Sequence, residues 1–177
     1  MNSINVDSRT FDFPDEWLVV KYDEIPYYTT KFQNPSKGKL KPEMKAVDLI
    51  ALGKSGNEQV MYMIESKDYR VHRRTKDMPP AEEFIHKVLD TLTGMIPAAL
   101  CGDGSPNEIV LRNQLCKATK LRLVFQFEQP AKHSKLFPRA FDPADIQTKI
   151  RAELRSIDPH ALVIDADSQG KVAWSVR

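Results

Sequence analysis

The stretch from residue 46 to residue 67 constrains this chain more than any other. Ala46-Val-Asp-Leu-Ile-Ala-Leu52 and Gln59-Val-Met-Tyr-Met-Ile-Glu-Ser-Lys67 are apolar, strand-like runs, separated by the short polar segment Gly53-Lys-Ser-Gly-Asn57. A Gly-Asn pair between such runs is a hairpin signal. With Gly56 and Asn57 at the centre of the turn, Ser55 pairs with Glu58, and following the ladder back brings Asp48 opposite Glu65. Directly opposed residues share a face, with Cβ atoms about 4.5–5.5 Å apart. Lys67, two residues beyond Glu65, projects from that same face. Charges on apolar strands are costly to bury without a partner or a metal. Two facing acids repel unless a cation lies between them or one is protonated. A divalent ion with a lysine beside it resolves that geometry, whereas a one-residue slip in pairing would turn Asp48 to the other face.

This arrangement resembles the PD-(D/E)xK nuclease superfamily. Its signature is an acid on one strand, then Glu/Asp-x-Lys on the neighbouring strand, often with a Glu on a preceding helix. The matching residues are Asp48, then Glu65-Ser66-Lys67, with Glu24 as the upstream acid and Asp23 as its adjacent alternative; Val47 stands where the pattern often has Pro. The resemblance covers roughly residues 15–130. It implies an α/β fold with a restriction-endonuclease-like core, a mixed central sheet flanked by helices in αβββαβ order. An extra C-terminal helix and β-hairpin would follow that core. It also implies Mg²⁺, with Mn²⁺ able to substitute, and adds the Ser66 carbonyl to Asp48 and Glu65 as ligands. Lys67 would orient the attacking water or offset phosphate charge, and Glu24 would hold a second ion or a metal-bound water. The expected activity is endonucleolytic hydrolysis of DNA.

Charge distribution agrees with a polyanionic substrate. Net charge is only +2, but residues 31–76 hold eleven Lys/Arg and five Asp/Glu, a local excess of +6 that leaves −4 for the rest. Arg70, His72, Arg73, Arg74 and Lys76 follow the acid–lysine motif directly, as phosphate contacts or as a solvated loop. Lys37, Lys39 and Lys41 lie in a basic loop upstream. Lys87 is either an auxiliary phosphate contact on the following helix or an ordinary exposed lysine. DNA is the expected partner, with RNA left open. A second copy of the chain, or a companion protein of a defence or repair system, would supply target choice. The alternative reading is a catalytically silent, nuclease-like DNA-binding or scaffold subunit.

Hydrophobic content of 41% and charged content of 28% are those of a soluble protein with a real core. No apolar run reaches the roughly 18 residues of a membrane span. The N-terminus lacks the basic and apolar segments of a signal peptide, and two cysteines make no disulfide framework, so a cytoplasmic location is expected. Gly53-Lys-Ser55 is not a P-loop, because Asp occupies position 48 where that motif needs Gly. The histidines and cysteines show no zinc spacing.

Along the chain, residues 1–12 read as a loose arm and residues 13–177 as one domain. Pro14-Asp-Glu-Trp reads as a helix start that would carry Trp17, Val20 and Glu24 on one face, although Val19, Val20 and Tyr22 also suit a strand. Tyr27–Gln33 reads as a strand. A helix is expected from Pro80, with an apolar stripe of Phe84, Ile85, Val88, Leu89, Leu92, Met95, Ile96 and Ala99. Residues 107–118 read as a second helix, 121–127 as a strand, and 142–156 as a third helix. Residues 161–166 and 172–176 read as a closing hairpin.

Overall fold

The computed structural model describes residues 2–32, 44–70, 74–101, 106–130 and 141–177. The expected hairpin forms with the expected register. Strands β4 (Leu49–Ser55) and β5 (Glu58–Asp68) pair antiparallel, from Leu49 opposite Ile64 to Ser55 opposite Glu58. Gly56 carries the turn at φ 61°, a left-handed conformation that glycine adopts without a Cβ penalty. Asn57 keeps negative φ, so positive φ sits only at the first central residue, the pattern of a II′ turn.

The hairpin is the centre of a five-stranded mixed sheet. Strand β3 (Leu18–Lys21) lies antiparallel on β4, so β3, β4 and β5 form a meander. Helices α1 (Pro80–Cys101) and α2 (Pro106–Leu115) then carry the chain across to β6 (Lys120–Glu128), which runs parallel to β5. Helix α3 (Pro143–Glu153) leads to β7 (Leu162–Ile164), parallel to β6 at the sheet edge. The side chain of Asp142 caps α3 by accepting from the Ala144 N–H at 2.9 Å, with Pro143 in the first turn. Among the described residues no helix is long and apolar enough to cross a membrane.

Both faces of the sheet are covered. Ile50, Leu52, Met61, Met63, Leu123 and Phe125 pack against Phe84 and Val88 of α1 and Ile146 and Ile150 of α3. Phe84 and Phe125 stack with centroids 5.0 Å apart. The alternate residues, Leu49, Ala51, Ile64 and Val124, face an aromatic layer of Phe11, Phe13, Trp17 and Trp174. That layer sits under a second, three-stranded sheet of β1 (Asn2–Val6), β2 (Arg9–Phe13) and β8 (Ser175–Val176).

Several sequence expectations are corrected. Residues 2–13 are a paired hairpin rather than a loose arm, because Phe11 and Phe13 bury fully against the main sheet. Residues 14–24 do not form a helix. The β-branched Val19 and Val20 pair with Ala51 and Ile50, and a 3-10 turn, Tyr22–Glu24, ends the strand. Tyr27–Phe32 is a π-helical turn rather than a strand, with the Thr29 and Thr30 hydroxyls donating back to Ile25 and Pro26 carbonyls. The closing hairpin is absent: Asp165 and Ser168 form a capping box that starts a 3-10 turn, Ala166–Lys171, and sends β8 to pair with β2. On α1 the buried face is Ala81, Phe84, Val88, Thr91 and Met95, which leaves Leu89 and Ile96 exposed.

Candidate functional site

Continuing the hairpin ladder one residue past Leu49–Ile64 places Asp48 opposite Glu65, on the face covered by α1. Asp48 is anchored on three sides. Its Oδ2 accepts from the Ser66 N–H at 2.8 Å, its carbonyl accepts from the Tyr22 N–H at 3.0 Å, and the preceding Val47 N–H donates to Thr91 Oγ1 at 3.0 Å. Thr91 in turn donates to the Lys87 carbonyl, so the start of β4 is stitched to the middle of α1. Backbone and side-chain bonds of this kind hold a carboxylate in one orientation before any ligand arrives.

Glu65 is 1% exposed and Asp48 7%. Two ammonium groups meet Glu65 Oε1, Lys67 Nζ at 2.6 Å and Lys87 Nζ at 2.6 Å, and Lys87 Nζ also lies 3.3 Å from Asp48 Oδ1. The cation that sequence reasoning required between the acids is thus, in part, the lysine on α1. Burial, and then the neighbouring Asp48 charge, push the Glu65 carboxyl up to about 7. Lys67 is raised as well, for a different reason. Burial alone would lower it, but the charges of Glu65 and Asp48 outweigh that and raise it, so it stays an ammonium.

The upstream acid facing the site is Asp23 rather than Glu24. The short 3-10 turn directs Glu24 outward to an ion pair with Lys21. Burial, followed by the Asp48 charge, pushes Asp23 up to about 6, and Lys87 also acts on it. Asp23 Oδ1 and Glu65 Oε2 are buried without a hydrogen-bond donor among the described residues. Among those residues, no group of three or more His, Cys, Asp or Glu side chains is gathered as a ready-made metal site. The donor set nevertheless suits a hard cation: it consists of carboxylate oxygens, two of them without donors. Ser66 sends its N–H to Asp48 and turns its Oγ to the opposite face, where Arg9 donates to it at 3.4 Å.

The basic residues behave unequally. Arg73 and His72 lie outside the described residues, as do Lys37, Lys39 and Lys41. Arg70 chelates Asp68 through Nε and Nη2 at 2.9 and 2.6 Å, with about half of its side chain exposed. Arg74 is not placed for phosphate contact. Its side chain is held by Glu83 at 2.6 Å, the Tyr69 hydroxyl at 2.7 Å and the Met78 carbonyl. Lys76 pairs with Glu83 as well but stays half exposed. Burial would raise Glu83, yet its bonds to Lys76 and Arg74 bring it down to about 2. Lys45, Thr75, Lys76, His86, Lys87 and Asp90 line a cleft of about 850 Å³ beside the acids.

Sequence reasoning missed Arg9. This buried arginine forms ion pairs with Glu128 at 2.9 Å and Asp68 at 3.6 Å, and burial lowers it to about 10. The signal was present in the sequence: Arg9 shares strand parity with Phe11 and Phe13, a charge on an apolar face, as Asp48 and Glu65 are.

No family model matches the chain, and no solved structure matches it with significance. One curated protein is similar, the cysteine–tRNA ligase of Neisseria meningitidis serogroup A / serotype 4A (strain DSM 15465 / Z2491), 26% identical over 173 residues. The match takes in 82% of this chain but 24% of that protein, so the chain spans about a quarter of its relative's length.

Proposed function

We propose that this chain is a divalent-metal-dependent phosphodiesterase of the PD-(D/E)xK, restriction-endonuclease-like kind, an endonuclease whose first expected substrate is DNA. The observation that carries this reading is the convergence of Asp48 and Glu65 with Lys67, with Lys67 Nζ 2.6 Å from Glu65. The surroundings support it: a β3–β4–β5 meander, then α1, then a strand parallel to β5. The preceding helix of the superfamily pattern is replaced by strand β3 and a 3-10 turn that presents Asp23.

Asp48, Glu65, the Ser66 carbonyl and Asp23 would hold Mg²⁺ or Mn²⁺. When bound, the ion supplies charge to a phosphate oxygen and acidifies a water. The remaining work belongs to the chain. Lys67, kept protonated by its acidic neighbours, stabilises charge on the phosphate or orients the nucleophilic water. Asp48 Oδ2 is held by the Ser66 N–H, so its other oxygen, Oδ1, is pre-positioned on the side of Lys87. Lys45, Lys76 and His86 line the cleft through which a polyanion would approach.

The test is incubation with duplex and single-stranded DNA and with tRNA under Mg²⁺ or Mn²⁺, for wild type, Asp48→Ala and Lys67→Ala. The tRNA arm is included because the similar protein is named for it. Cleavage by wild type alone supports the assignment; cleavage that survives both substitutions sinks it. A second reading, a silent nucleic-acid-binding module of a larger protein, is favoured by the Lys87 ammonium already bridging the acids. It is also favoured by the match to only a quarter of the ligase. Salt-dependent binding without cleavage under any divalent metal would select it.

A further inference from the structure

The Lys87 ammonium is the one feature of the site that the hydrolytic reading leaves without a task. It bridges Glu65 at 2.6 Å and Asp48 at 3.3 Å, from a helix rather than from the sheet. We propose that Lys87 is an internal counter-ion that occupies the acid pair in the metal-free protein and swings into the adjacent cleft when a divalent ion binds. This rests on the metal-dependent reading above and assigns Lys87 a gating role within it.

Electroneutrality is the first argument. Asp48 and Glu65 share the Lys87 ammonium between them, and the Asp23 carboxylate lies within electrostatic reach of Asp48 and Lys87. A divalent ion together with Lys67 balances three carboxylates, and Lys87 in addition would leave an excess positive charge in a buried place. Uncompensated buried charge is costly, so the ion and the Lys87 ammonium compete for the same oxygens. Exit of Lys87 is the step that restores balance, because Lys87, unlike Lys67, also lines the adjacent cleft.

Space and chemistry are the second argument. Lys87 lines the cleft of about 850 Å³ as well as touching the acids, so a rotation of its side chain exchanges one environment for the other. Asp90, one turn along α1, also lines that cleft and offers a carboxylate to receive the ammonium. Glu83, one turn before, is already held by Arg74 and Lys76. A lysine stem has four rotatable carbons and carries its charge as a compact point, which suits such a swing. In the swung position the ammonium stands where a phosphate would enter, so departure from the acids and attraction of substrate are one movement.

Mn²⁺ binding measured by calorimetry, with no substrate present, tests the proposal on the full chain. Lys87→Met should bind Mn²⁺ at least about tenfold more tightly than wild type, with Lys87→Gln between them, since removing a competitor raises apparent affinity. In parallel, reductive methylation of wild-type lysines, read by mass spectrometry, should modify Lys87 slowly without metal and several-fold faster at saturating Mn²⁺. Wild-type binding that is equalled or exceeded in Kd by both variants overturns the Lys87 assignment and leaves the metal reading standing, as does labelling that Mn²⁺ does not change. Absence of Mn²⁺ binding in wild type and both variants at millimolar metal overturns the metal reading and this proposal together. Should Lys87→Met fail to fold, Lys87→Gln and the wild-type labelling decide.

Discussion

Asp48→Asn is the substitution for which the structure gives opposite expectations for activity and stability. The change is isosteric. An Asn oxygen can still accept from the Ser66 N–H, now 2.8 Å from Asp48 Oδ2, and Lys87 keeps Glu65 at 2.6 Å. What disappears is one of two facing negative charges. Glu65 is lifted from 4.5 to about 7, by burial first and by Asp48 second. The unfolded chain releases this proton near 4.5 and the folded chain near 7. Between those values the folded state binds more protons, so stability falls as pH rises through the window. Above it the deficit is about 3 kcal/mol, at about 1.4 kcal/mol per tenfold change in proton affinity. Asp48 is the lesser cause, so removing its charge should return about 1 kcal/mol. Asp23, lifted to about 6 partly by the same charge, shifts the balance in the same direction. Asp48→Asn should therefore be about 1 kcal/mol more stable than wild type at pH 8, with the gain gone below pH 4.5, and under the proposed function it should lose metal-dependent cleavage. Urea denaturation at pH 4, 6 and 8 measures this. A variant at least 1 kcal/mol less stable than wild type at pH 8 would show that the acid pair is structural and that no stability is given up to hold it.

Three further expectations concern the scaffold. A Cβ at Gly53 would lie 2.0 Å from the Trp17 ring, and Trp17 is stacked on Tyr62 at 5.1 Å, so Gly53→Ala should cost about 3 kcal/mol and alter near-UV circular dichroism; an unchanged melting temperature would show that the ring yields freely. Asp158 is buried and accepts from Arg122 at 2.6 Å, the Leu123 N–H at 2.9 Å and the His160 N–H at 3.0 Å, so Asp158→Ala should lose about 3 kcal/mol in urea denaturation, with Asp158→Asn losing less. Glu83→Gln leaves Arg74 without its acid and should cost about 2 kcal/mol at neutral pH. Because Glu83 is depressed to about 2, its contribution is fully present above pH 4.5 and lost as pH falls towards 2, so the two proteins should converge in acid.

The hairpin was legible because strand pairing has a period of two and the turn fixes the phase; Gly56 and Asn57 together determined what Asp48 faces. Helix α1 was legible in its start and not in its buried face. Leu89 and Ile96 belong to the apolar set, but the sheet meets the stripe through Phe84, Val88 and Met95. Glu24 was placed on a helical face with Trp17 and Val20, and a strand followed by a three-residue turn put Asp23 there instead. Nothing local announces that Lys87 reaches two acids some 22 and 39 residues earlier. Long-range packing of that kind is decided by which helix face the sheet selects. The closing hairpin failed for a similar reason: residues 161–166 and 172–176 each suit a strand, but each finds a different partner.

Arg9 ties the small sheet to the chemistry of the large one. Asp68 and Glu128 stand side by side in the parallel ladder of β5 and β6, two acids at the strand ends nearest Lys67. The guanidinium of Arg9 holds both, from the side of the sheet away from Glu65. Without it these neighbours would repel, and the two strands would splay where Lys67 is set. Residues 2–13 are in that sense a backstop for the motif lysine, and the alignment of the candidate site is fixed from behind as well as from its own face.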